Sequence, residues 1–120
     1  MSEIRATTIS NAAGTGPIAL TKQSAAKAFE KHQIDGTIDG SFNVSSITDN
    51  ETGDYTINFS NSMNNNTYTA CLHGSAGSST TVRWMIYRGQ STTGFGVKTY
   101  AGSSQADMSN NMTAVHGDLA

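Results

Sequence analysis

The chain has 120 residues, a formal net charge of −2, 36% hydrophobic and 13% charged residues, which fits one domain with a short appended segment. The low charge, without a basic stripe, argues against binding to nucleic-acid phosphates, and no run approaches the ~20 apolar residues that cross a bilayer. One cysteine, Cys71, leaves no internal disulfide, so a stapled secreted mini-fold is excluded; Met1–Arg5 carries no apolar run, and no signal peptide is expected.

Ser, Thr and Asn fill 41 positions (15, 16 and 10), the composition of a polar, weakly charged domain. Residues 1–20 read as an extended arm: Ile4 to Ile9 and Ile18 to Leu20 are short and partly β-branched, split by the turn formers Asn11 to Pro17. A ribbon this small is marginal alone in water and needs a surface to pair with. Residues 21–35 are expected to hold one short α-helix, over 21–33, capped by Thr21 or Ser24 and stopped by Asp35-Gly36. On that helix Ala25, Ala28, Phe29 and His32 share a face at the i, i+3, i+4, i+7 spacing. A small, Ala-rich face of this kind suits close packing against another helix or a sheet.

Residues 36–120 alternate as a set of short strands. The clearest is Asp54-Tyr55-Thr56-Ile57-Asn58-Phe59, with Tyr55, Ile57 and Phe59 to one side. A strand from Phe42 to Ile47 precedes it, with a bulge expected at Ser45-Ser46 and a hairpin loop over Asp49 to Gly53. Further runs are 67–72, 82–87, 95–100 and 112–115, separated by Gly/Ser/Asn/Thr-rich loops. About six such strands predict a small antiparallel β-sandwich. Its inward residues are expected to be Phe42, Val44, Ile47, Tyr55, Ile57, Phe59, Tyr68, Leu72, Val82, Trp84, Ile86, Phe95, Val97 and Val115. That core is thin for the chain length, which favours an oligomer.

Chemistry-bearing residues are sparse. His32, His73 and His116 form no metal-ligand spacing. Cys71 and His73 would share one face of a strand, yet two ligands are too few for a structural metal site unless a symmetry axis multiplies them, and a buried thiol and a surface imidazole are expected instead. Gly94-Phe95-Gly96 fits neither an RNA-stacking strand, since a basic residue and a second aromatic are missing, nor a phosphate loop, since no helix follows. No GxSxG elbow or paired carboxylates mark a catalyst. The expectation is no enzyme, no cofactor and no metal. Tyr87, Arg88 and Tyr100 are the candidate ligand contacts, because Tyr and Arg dominate recognition surfaces; Trp84, mid-strand, is expected in the core.

Three stretches carry a resemblance. Gly36 to Phe59, with its SFNVSSITDNETGDYTINF run, Ala26-Lys27-Ala28-Phe29, and Ile4 to Pro17, which ends in TISNAAGTGP, resemble the distal domain of tail-fibre and tail-fibre-like proteins of marine and cyanobacterial tailed phages. Glu51 stands where those proteins usually have Gly, and Phe29 where they have Trp. The resemblance implies a homotrimeric virion protein on the tail or capsid surface, made in the host cytoplasm, with Ala25, Ala28, Phe29 and His32 of the helical neck as the trimer interface. It implies an arm, residues 1–20, docking on other virion proteins through Ile4, Ile9, Pro17 and Ile18. It also implies a β-head, residues 36–120, that binds host polysaccharide or protein, with no nucleic-acid partner and no membrane insertion. A capsid decoration or tail/baseplate adaptor protein is the alternative.

Overall fold

The computed structural model describes residues 25–76 and 81–120. Among the described residues nine strands are formed: β1 (Ala28–His32), β2 (Ile38–Phe42), β3 (Val44–Glu51), β4 (Asp54–Phe59), β5 (Thr69–Ser75), β6 (Arg83–Ser91), β7 (Gly94–Ala101), β8 (Ser104–Gln105) and β9 (Asn110–His116). They build two antiparallel sheets, one ordered β2-β1-β9-β5 and one ordered β3-β4-β7-β6, with β8 paired to β7. The predicted mostly β, sandwich-like architecture is present, with more strands than expected and no helix among the described residues.

The expected helix is overturned where it can be seen, since Ala28–His32 is a strand; its residues 21–24 lie outside the described part. Ala, Lys and Glu favour helix by propensity, but propensity is a weak bias that tertiary context overrides. Here β1 lies between two ladders, pairing Phe29 with Phe42 on β2 and with Ala114 on β9. Period two then replaces 3.6: Ala28, Glu30 and His32 point inward and are buried, while Phe29 points outward. The four residues expected on one helical face are therefore divided, and Ala25 precedes the strand, exposed.

The chain passes from one sheet to the other at Asn43, between β2 and β3. Asn43 adopts φ 55°, a left-handed conformation that Asn tolerates better than most residues. Its side chain holds the corner: Nδ2 donates to the carbonyls of Lys27 and Asn61, both at 3.1 Å, and Oδ1 accepts from the Asn61 backbone amide at 2.7 Å. The register slips between Val44 and Ser46, which places the bulge at the Ser45-Ser46 step. The β3–β4 hairpin closes at Gly53, and β8 then continues the lane of β4 alongside β7.

Between the sheets lie Val44, Tyr55, Ile57, Phe59, Tyr68, Phe95, Val97 and Val115, all buried as expected, with Ala28, Met63 and Met108 in addition. Phe59, Tyr68 and Phe95 pack as a ring cluster with centroids 5.5–6.1 Å apart. Ile47 and Leu72 are partly buried against this core. Phe42, Val82, Trp84 and Ile86, by contrast, are exposed. Residues 82–87 are apolar at both parities (Val82, Trp84, Ile86 against Met85, Tyr87), so alternation could not choose which set faces in; the sandwich takes Met85. Cys71 is also exposed rather than buried, because it sits on the outer parity of β5.

The Tyr68 phenol is pushed up to about 12 by burial, its hydroxyl lying between the carbonyls of Gly94 (2.8 Å) and Ser91 (3.0 Å). A raised phenol supports folding fully below its ordinary value of 10.0 and loses that support as pH climbs toward 12. Ultraviolet titration is expected to show Tyr68 ionising only together with unfolding; ionisation of this ring in the folded protein near its ordinary value would contradict the packing.

Candidate functional site

Two features merit attention as sites, one sealed and one open. The sealed one lies between the sheets. His32 Nδ1 and Glu30 Oε2 are 2.7 Å apart, and Thr113 Oγ1 donates to Glu30 Oε1 at 2.8 Å. The His32 ring stands 4.9 Å from that of Tyr55, whose hydroxyl reaches the Ile34 carbonyl (2.8 Å) and the Asp107 carboxylate (3.1 Å). Burial, then the negative charge of Asp107, raises the Tyr55 phenol well above its ordinary value, so it stays a neutral donor. A carboxylate beside an imidazole is an acid–base unit by composition. With both side chains at 0% exposure, it has no route to a substrate, and its role here is to organise the interior.

The open feature lies on the outer face of the five-stranded sheet. There the side chains are Ser46, Thr48 and Asn50 from β3, Asp54, Thr56 and Asn58 from β4, Lys98 and Tyr100 from β7, and Trp84, Ile86 and Arg88 from β6, by the observed registers. Two glycines, Gly94 and Gly96, interrupt the β7 row and leave a trough of about 310 Å³ lined by Thr56, Asn58, Arg88, Gln90, Ser91 and Thr93 among others. Gly96 is required for this shape: a Cβ there would stand 2.6 Å from the Arg88 carbonyl and 3.0 Å from its guanidinium carbon. The Arg88 side chain thus lies down over a glycine floor.

Asp54 sets the electrostatics at one end of the trough. Arg88 Nη2 donates to its Oδ1 at 2.6 Å, Asn50 Nδ2 to the same oxygen at 3.1 Å, and Lys98 Nζ lies 3.3 Å from Oδ2. Burial alone would raise this carboxyl. The hydrogen bonds from Arg88, Asn50 and Lys98 and the Arg88 charge outweigh it and hold Asp54 below its ordinary 3.8. Arg88 and Lys98 meet Asp54 here, and Glu51 stands opposite Asp54 on the paired strand, so two cations face two carboxylates. Because the folded value is depressed, the stabilisation is complete above pH 3.8 and is lost as pH falls through the lower folded value. Asp54→Asn is expected to cost about 1–2 kcal/mol at neutral pH, the Arg88 contribution being discounted for its exposure, and to remove part of the acid-dependent loss of stability seen by denaturant unfolding between pH 7 and pH 2.

Of the three candidate ligand contacts, Arg88 lines the trough and Tyr100 lies on the same face, stacked on Trp84 with centroids 4.3 Å apart and planes 10° apart. Tyr87 has the opposite parity and projects from the inner side of β6 at the sandwich rim, 57% exposed, so the structure does not bring it to the other two. Trp84, expected in the core, is instead part of this face, its Nε1 donating to the Gly102 carbonyl at 2.8 Å. Ile4, Ile9, Pro17 and Ile18 lie outside the described residues. Cys71 and His73 do share the outer face of β5, and no group of three or more His, Cys, Asp or Glu able to hold a metal occurs among the described residues. The sequence could not reveal Asp54 as the hub of three partners, because Asn50, Arg88 and Lys98 meet it only through strand pairing.

A scan against family models finds none that matches the chain, and searches of curated proteins and of solved structures likewise find no match. No helix among the described residues is long and apolar enough to cross a membrane.

Proposed function

We propose that this protein is a structural component of a phage virion, a short homotrimeric tail fibre whose sandwich contacts the host surface by binding rather than catalysis. Its residues 1–20 join it to other virion proteins. The observation that carries the reading is the trough: an open channel floored by glycine and lined by Arg88 with an amide and hydroxyl rim, on the same sheet face as the stacked Trp84–Tyr100 pair. Such a surface suits a polyhydroxylated or anionic partner, since guanidinium forks and aromatic faces supply most recognition energy. The resembling segment spans the Asn43 corner and the β3–β4 hairpin, and its Thr56 and Asn58 line the trough.

The test is adsorption of the purified protein to cells of the bacterial host. Wild type is expected to bind and to block infection, and Arg88→Ala to weaken binding about tenfold or more. Absence of adsorption, together with stoichiometric association with empty capsids, would replace this reading by a capsid decoration or adaptor role. The second reading has its own support in the opposite outer face, where Phe29 and Phe42 are 48% and 51% exposed and would suit burial against another protein.

A further inference from the structure

Along the chain, Cys71 and His73 are two potential metal ligands, too few to hold an ion. Strand pairing brings a third soft donor beside them. Both residues have the outer parity of β5, and on the adjacent β9 Met112 stands directly opposite His73 and Ala114 directly opposite Cys71. Directly opposite residues stand about 4.5–5.5 Å apart at Cβ and diagonal ones about 7–8 Å. Residues i and i+2 of one strand are about 7 Å apart. Ala114 is small, so its side chain leaves open ground between the Cys71 thiol and the Met112 thioether. A shallow hollow of about 210 Å³ lies there, lined by Cys71, His73, Met112 and Ala114 among others. Cys71 is a free, exposed thiol, and His73 is exposed beside it.

We propose that Cys71, His73 and Met112 form a binding site for one soft monovalent metal ion, copper(I). The donors are a thiolate sulfur, an imidazole nitrogen and a thioether sulfur. Thiolate and thioether select copper(I) over harder ions, and imidazole suits copper as well. The Met112 side chain is unbranched with three rotatable bonds, which lets its sulfur swing onto the ion from across the ladder. Charge selects a monovalent ion. Cys71 supplies the one negative charge of the donor set, so the loaded site is neutral. Lys31 lies across from Met112 on β1, with its Nζ 3.0 Å from Asp39 Oδ2. A divalent ion would place an uncompensated positive charge beside that lysine. Loading is a proton exchange: the Cys71 S–H bond breaks, a sulfur–copper bond forms, one proton leaves to water, and copper keeps its oxidation state. The site stands apart from the virion reading, which its failure would leave untouched.

The test is titration of the full 120-residue protein, reduced and under nitrogen, with copper(I) in competition with a chromogenic copper(I) chelator. One ion per chain is expected, with one proton released per ion and nuclear magnetic resonance shifts at the Met112 methyl and the His73 ring. Loss of even an outer-shell partner typically costs 10–100-fold in metal affinity, so Met112→Leu and His73→Gln should each weaken binding about tenfold or more. Leucine keeps the volume and apolarity of Met112, and an unchanged unfolding midpoint confirms that the sheet is intact. Cys71→Ser should abolish binding, whereas Met85→Leu, on the inner side of β6, should leave it unchanged. Failure of the wild type to take copper from the chelator would overturn the proposal. Wild-type affinity in either Met112→Leu or His73→Gln would also overturn it, by showing capture without the full triad. Half an ion per chain, with a dimer in sedimentation, would replace it by a thiolate bridge between two copies.

Discussion

Replacing His32 with alanine is expected to destabilise the sandwich by about 3–5 kcal/mol. His32 Nδ1 is the 2.7 Å partner of Glu30 Oε2, and neither side chain reaches solvent. Without the imidazole, Glu30 keeps only the Thr113 hydroxyl on its other oxygen, so a carboxyl group is left buried with half its partners. The lost ring also leaves a void against Tyr55, 4.9 Å away, which adds a cavity cost. The cost belongs to the orphaned group rather than to the pair itself. The double replacement Glu30→Met with His32→Leu is therefore expected to recover most of the loss, as apolar substitution of buried ion pairs does elsewhere. Denaturant unfolding of the single and double variants decides the matter; equal destabilisation in both would mean that the network does more than fill the interior.

Gly53→Ala is expected to cost about 2–4 kcal/mol, from a left-handed backbone and from a Cβ with nowhere to go. Gly53 has φ +66°, and a Cβ there would meet the Thr99 carbonyl oxygen at 2.8 Å and the Ala106 nitrogen and oxygen at 2.9 Å. All three are backbone atoms, which cannot swing aside as a flexible side chain would. The same residue anchors the junction by two hydrogen bonds, its amide donating to Asp107 Oδ1 at 2.5 Å and its carbonyl accepting from Thr99 at 2.8 Å. Gly102 supplies the control: its φ is +60° but nothing lies within 4 Å of the added Cβ. Gly102→Ala should therefore lose only the conformational part, about 1 kcal/mol, and the difference between the two unfolding midpoints measures the steric part. Equal losses would show that the β3–β4 turn yields where the geometry says it is fixed.

The two outer faces differ in chemistry. On the five-stranded sheet, Arg88, Asn50 and Lys98 are all tied to Asp54. The four-stranded sheet instead carries the Phe29–Phe42 ring pair and Met112 beside the Lys31–Asp39 ion pair.

Strand alternation was legible wherever one parity was apolar and the other polar. Asp54–Phe59 is the plain case, and its neighbours in the hairpin followed from Gly53 and the Asn/Asp-rich loop. The sheet transfer at Asn43 left no readable trace except the slip after Val44. For residues 82–87 the pattern failed because both parities were apolar, and the register of β6 against β7, Trp84 opposite Tyr100 and Ile86 opposite Lys98, put those two on the outside. For residues 28–32 it failed more deeply, since Ala, Lys and Glu spell a helix when read locally. Their strand conformation comes from the ladders offered by β2 and β9, which the local sequence does not encode. By itself, then, the amino-acid order determined a weakly charged, turn-rich β protein and most of its core. Tertiary pairing alone decided where Glu30, His32 and Asp54 found their partners, because hydrogen bonds between strands far apart in the chain depend on register, and register is a property of the assembled sheets.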